Sequence, residues 1–382
     1  MRGPVLALAL VATLGAAPAG SPPPAAPALA PAQAGNVRFA IDFNLSAAQI
    51  AQNCAARIAD AKAAQTAILR VPKASRTFAS VVLPLENLGA DLNDRLAAET
   101  FLAVTSPSKA VRDASIACSN DVGAFTNELG ADPGLYAALQ DAQQSATARD
   151  DYDRKLLSLG LVGLKRSGAG LPAAQRAEFV KLSNRLNELG NSFQANLGED
   201  ETTIEVSAAE LEGSPADVRS GYKQAADGKF VVPVNESTVS LFMDNVRNPD
   251  ARKRFYFAYD NRAAAKNLPI LQEALGIRYR LAQLLGYPSW DAYQLADRMP
   301  QTPQRLEAFL GDLTQRLQPL SDADLARLKS VKAAETHTPS ATLDPWDLSY
   351  YEQRLLQTRY AVDQNAIRQY FPVQHTIDAV LG

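Results

Sequence analysis

The chain has 382 residues, with 47% hydrophobic and 21% charged side chains, an ordinary globular balance with enough length for a sizeable core. Lys plus Arg number 38 against 41 Asp plus Glu, a formal net charge of -3 without runs of like charge. That excludes the basic footprint a nucleic-acid binder needs.

The N-terminus reads as a targeting segment. Arg2 supplies positive charge, residues 5–17 are apolar, and Ala17-Pro18-Ala19 is a small-x-small cleavage site, so residues 1–19 are expected to be a signal peptide. That apolar run is too short to span a bilayer and no later one is long enough, so no membrane span is expected. Export, most simply to a bacterial periplasm, follows as an expectation. Residues 20–36, rich in Ala and Pro, read as a flexible linker.

Residues 37–200 are expected to be helical. Ser46-Ala47-Ala48-Gln49 is a capping box, with Leu45 and Ile50 placed for a hydrophobic staple. Ile50, Cys54, Ile58 and Ala61 then recur at helical spacing. Ser106-Pro107 is expected to start another helix, Ser as cap and Pro at the first position, with the stripe Val111, Ser115, Cys118, Val122 and Phe125. The two cysteines, Cys54 and Cys118, both fall on inward stripes. They are either a disulfide, as an exported protein permits, or a pair of buried thiols. Phe179, Leu182, Leu186, Leu189 and Phe193 form a strong stripe after Pro172.

Residues 201–250 differ. Thr203 to Val206 and Lys229 to Val234 are short β-rich runs, predicting a small strand pair. Helical signals return over residues 251–382, where Thr302-Pro303 opens a helix carrying Leu306, Leu310, Leu313, Leu317 and Leu320 on one face. The fold class is therefore mostly α with a minor β insertion around 203–234.

The residues offer little chemistry by themselves. The two histidines, His337 and His375, lie far apart and are read as exposed loop residues; H-E-x-x-H is absent. No G-x-S-x-G elbow or Walker loop occurs, and no residue is nominated as catalytic or as a metal ligand.

Four stretches carry a resemblance. Arg166-Ser167-Gly168-Ala169-Gly170-Leu171 precedes a helix closing in Phe193-Gln194-Ala195-Asn196. Arg252-Lys253-Arg254-Phe255-Tyr256 runs through Tyr259 and Arg262 to Asn267 and Ile270-Leu271. Leu275, Arg278, Ala282 and Leu284-Leu285-Gly286-Tyr287 precede Trp290, Tyr293 and Met299. Pro345-Trp346-Asp347 with Tyr350-Tyr351 closes at Tyr370-Phe371-Pro372. In this order they resemble the thimet oligopeptidase, oligopeptidase A and peptidyl-dipeptidase family of zinc metallopeptidases, matching its N-terminal half. The resemblance implies a helical, bilobed hydrolase with a deep channel that admits short peptides. In that family zinc held by H-E-x-x-H and a later Glu activates water, with the motif's Glu as general base. None of those residues is in this sequence, so the resemblance implies an incomplete peptidase lobe that binds no zinc and is inactive alone. A separately encoded C-terminal half is then an expected partner. The alternative is a non-catalytic helical module that binds peptides or another protein.

Overall fold

A computed structural model describes residues 42–145, 147–148 and 150–381. The expected signal peptide and the linker lie outside the described residues. The helices run in the order α1 (Ala47–Leu69), α2 (Leu83–Arg95), α3 (Ala97–Thr105), α4 (Lys109–Gly130), α5 (Pro133–Gln144), α6 (Asp151–Arg166) and α7 (Ala173–Gly198). Next come β1 (Thr203–Val206), α8 (Ala216–Ser220), β2 (Lys223–Gln224), β3 (Phe230–Pro233), α9 (Glu236–Met243) and α10 (Pro249–Asp260). The chain closes with α11 (Ala264–Leu284), α12 (Trp290–Leu295), α13 (Pro303–Thr336), α14 (Leu348–Tyr360), α15 (Gln364–Arg368) and α16 (Val373–Leu381). The class is mostly α, as the periodicity predicts.

Local signals explain the starts. Ser46 caps α1 in a full capping box, and Leu45 packs against the cluster that holds Ile50. Thr302 caps α13 by accepting the N–H of Arg305, with Pro303 at the first position. The helix expected from Ser106-Pro107 begins two residues later, after Ser108, because the Ser106 hydroxyl accepts the N–H of Ser108 and holds the chain in a turn.

Three apolar clusters organise the described residues. The first joins α1 to α6 around Ile50, Val81, Leu96, Leu135 and Leu139. In it α4 packs on α1 and α3, and Cys54 of α1 is bonded to Cys118 of α4, their α-carbons 5.7 Å apart. The second cluster holds the insertion: β3 lies between β1 and β2, antiparallel to both, and its Val232 packs with Val206, Leu211, Phe242 and Phe255. Sequence patterning shows two of these strands; β2 is two exposed residues with no apolar signal. The third cluster zips α7 to α11 through Phe179, Leu189, Ile277, Leu281 and Leu284.

The leucine face of α13 behaves otherwise. No residue of this 34-residue helix is buried, and Phe309, Leu310, Leu313 and Leu320 are 39–61% exposed. A stripe at helical spacing marks one face as apolar, but burial requires a second surface, and none of the described residues supplies it.

Candidate functional site

The stretches that carry the resemblance converge into three polar joints. The most buried is built on Arg252. Asn248 caps α10 by accepting the N–H of Ala251, Pro249 takes the first turn, and the register then turns Arg252 fully inward. Its Nη2 donates to Asp347 Oδ1 at 2.5 Å. Its Nε donates to the Trp346 carbonyl at 2.9 Å, and Nη1 to the carbonyls of Val246 (2.9 Å) and Arg247 (2.8 Å). The guanidinium also lies 4.3 Å from the Tyr350 ring centre. Asp347, presented by a 3₁₀ turn after Asp344, accepts Lys332 Nζ at 2.6 Å and the Asp344 N–H at 3.1 Å. Burial alone would push its carboxyl up, but the Lys332 and Arg252 hydrogen bonds outweigh that and hold it below the usual carboxylate range.

One turn beyond Lys332, Glu335 forms a hub. Its carboxylate accepts the Tyr350 hydroxyl at 2.8 Å and Arg247 Nε at 3.2 Å, and lies 3.5 Å from Arg354 Nε. Burial, then the Glu335 carboxylate, raise the Tyr350 phenol well above its ordinary range. Sequence reasoning missed Lys332 and Glu335. Their only signal is a spacing of three that puts both on one face of α13.

The second joint ties α7 to α11: Asn196 Nδ2 donates to Asn267 Oδ1 at 2.8 Å, and Asn267 donates to the Phe193 carbonyl at 3.2 Å. The third ties the end of α6 to α12. Arg166 pairs with Asp297 at 3.2 Å and lies 4.3 Å from the Tyr293 ring centre, while the Tyr293 hydroxyl donates to the Arg166 carbonyl. Gly286 turns the chain between α11 and α12 at φ +81°, a conformation that favours glycine. Arg252, Asp347, Asn267 and Tyr293 are thus each occupied by a partner from another element. Such contacts hold these elements in register.

His337 closes α13 in the left-handed region and is exposed. His375 is also exposed, but it sits within α16 rather than in the loop expected, because the turn ends at Pro372 and the helix begins at Val373. Both cysteines are bonded to each other, so neither offers a thiolate. Among the described residues no three His, Cys, Asp or Glu side chains gather as a metal site, and these residues do not fit a zinc ion.

The described residues also form concave surfaces. An open groove of about 1160 Å³ follows α7 past Arg176, Lys181 and Arg185, with Asp132 and Glu273 facing from α5's cap and α11. A smaller pocket of about 410 Å³ lies between the insertion and α14. Neither brings a nucleophile to a base. No helix among the described residues is long and apolar enough to cross a membrane.

Comparison with known proteins places these joints in a family. Residues 242–382, from Phe242 of α9 onward, match peptidase family M3. Oligopeptidase A of Salmonella typhimurium is 29% identical over 274 residues, covering 67% of this chain and 40% of that protein. Oligopeptidase PhomG of Diaporthe leptostromiformis is 30% identical over 300 residues, covering 74% and 41% respectively. The thimet-like oligopeptidase of Dictyostelium discoideum is 24% identical over 329 residues, covering 82% and 49%. The chain thus spans 40–49% of the length of these relatives. Residues 242–382 thus match peptidase family M3, and the chain, with its four stretches in family order and tied to one another in space, is similar to oligopeptidases over most of its length.

Proposed function

We propose that the chain is part of an exported zinc oligopeptidase acting on short peptides, and that these residues supply scaffold and one wall of the peptide channel. The reacting groups then lie outside this sequence. What carries the reading is the engagement of the joint residues. Arg252, Asp347, Asn267 and Tyr293 are committed to contacts between elements, while the open groove along α7 displays side chains of both signs for a peptide. The oligopeptidases matched above support the substrate class. Export rests on residues 1–19 and is consistent with the Cys54–Cys118 bond.

Residues 20–382, purified, are expected to show no chelator-sensitive hydrolysis of short fluorogenic peptides and well below one zinc per chain. Activity should appear on adding a separately encoded C-terminal half that carries H-E-x-x-H. Chelator-sensitive turnover by the chain alone would overturn the reading. Expression in a bacterium with a periplasm should yield a mature chain beginning at Gly20.

The non-catalytic module is the second reading. Peptide binding by the groove without any response to the added half would move the assignment to that module.

A further inference from the structure

Asp244 is a half-buried carboxylate without a counter-charge among the described residues. It follows the last residue of α9 and caps that helix, where a negative charge meets the helix's own negative end. Among the described residues its carboxylate has no hydrogen-bond or ion-pair partner. It faces the pocket between the insertion and α14, and the nearby charges are already in use. Arg247 pairs with Glu212 and Glu335, and Arg354 with Glu335 and Gln357. On α10, which also packs against α9, Arg252 is held by Asp347, Lys253 lies on the Trp346 ring and Arg254 pairs with Glu210. On the closing segment, Asp363 caps α15 and Arg368 pairs with Asp217. What α14 offers Asp244 is Glu352, a like charge.

Beyond α14, which is anchored by the buried Tyr350 and Tyr351, the segment that closes this pocket is lightly held. After α14 the chain turns at Ala361, in the left-handed region, and returns over the insertion. It is fastened there by Asn365 Nδ2 donating to Asn245 Oδ1 at 2.7 Å and by Arg368 to Asp217 at 2.6 Å. No residue of 361–369 is buried. A closure made of a few polar contacts is sensitive to one repulsive charge beneath it.

We propose that Asp244 is a pH latch: with its carboxyl protonated, residues 361–369 stay seated on the insertion, and ionisation releases them and opens the pocket. Burial, with Glu352 adding to it, pushes the Asp244 carboxyl up to about 6. An acid whose pKa is higher when seated than when released takes up its proton on seating. The latch therefore holds in acid, and its advantage is lost as pH rises from about 4 through about 6.

Hydrogen exchange on the 382-residue chain tests this. Corrected for intrinsic rates, amides of 361–369 should exchange on the order of tenfold faster at about pH 8 than at about pH 5. Amides of Leu182 to Phe193 in α7 serve as the unchanged internal standard. Asp244→Asn should keep the segment protected at both pH values, and Glu352→Gln should move the transition to lower pH. A wild-type chain with no such response would overturn the proposal, as would a response that persists in Asp244→Asn. Should Asp244→Asn fail to fold, an unshifted transition in Glu352→Gln overturns it equally.

Discussion

The two long helices α7 and α13 both carry an apolar stripe and are held in different ways. In α7, Phe179 and Leu189 are buried against Ile277, Leu281 and Leu284 of α11, and the ends of the contact are clipped by Arg280–Glu178 and Arg185–Glu273 pairs. In α13 no side chain is buried; the helix meets α12 at one end and is pegged at the other through Lys332 to Asp347 and Glu335 to Tyr350. Apolar packing is non-directional and tolerates loss of one contact. A buried ionic peg is directional, and removing one partner strands the other in a low-dielectric site. The bundle end should therefore degrade gradually and the α13–α14 end abruptly.

Arg252→Ala should give the largest effect. It strands Asp347 and deprives the Trp346, Val246 and Arg247 carbonyls of their donor, at a cost of about 3–5 kcal/mol. Urea denaturation should show it, and exchange should quicken through α13 and α14 first while α1 and α4 stay protected. A uniform loss across both regions would break the contrast.

Reducing the Cys54–Cys118 bond comes next, and acts on the other region. The bond joins cysteines separated by 64 positions, so the chain-entropy estimate is roughly 4 kcal/mol as an upper value. The denaturation midpoint should fall for the α1–α6 bundle with little change at α13. Two free thiols titrated in the unfolded, unreduced protein would show that the bond does not form.

The smallest effect is expected on the leucine face of α13. Leu310 and Leu320 are 48% and 61% exposed, so Leu→Ala at either should change stability by no more than about 0.5 kcal/mol. The double variant should bind less hydrophobic dye and aggregate less, because it shrinks an exposed patch. A loss of several kcal/mol would mean that the face is covered, and α13 would then resemble α7 after all.

Much of this was legible in local signals. The caps at Ser46 and Thr302 and the strands at Thr203 and Phe230 follow from residue chemistry within a few positions. The insertion's turn at Gly213 was not. Its φ of +93° and a neighbouring Asn245 carbonyl that would lie 2.3 Å from any added Cβ are set by a contact 32 positions away. Nor do Arg252 and Asp347, 95 positions apart, announce in sequence that they form a buried ion pair.

Sequence by itself determined the helical class, the place of the small sheet and the family resemblance, because periodicity, caps and motif order are local or collinear properties. Tertiary structure alone decided which apolar stripe is core and which stays bare, and that the motif residues brace one another. Burial and pairing depend on what stands opposite each side chain. The bare α13 face, the Lys332–Asp347 peg and the unpaired Asp244 therefore became visible only once the chain was folded.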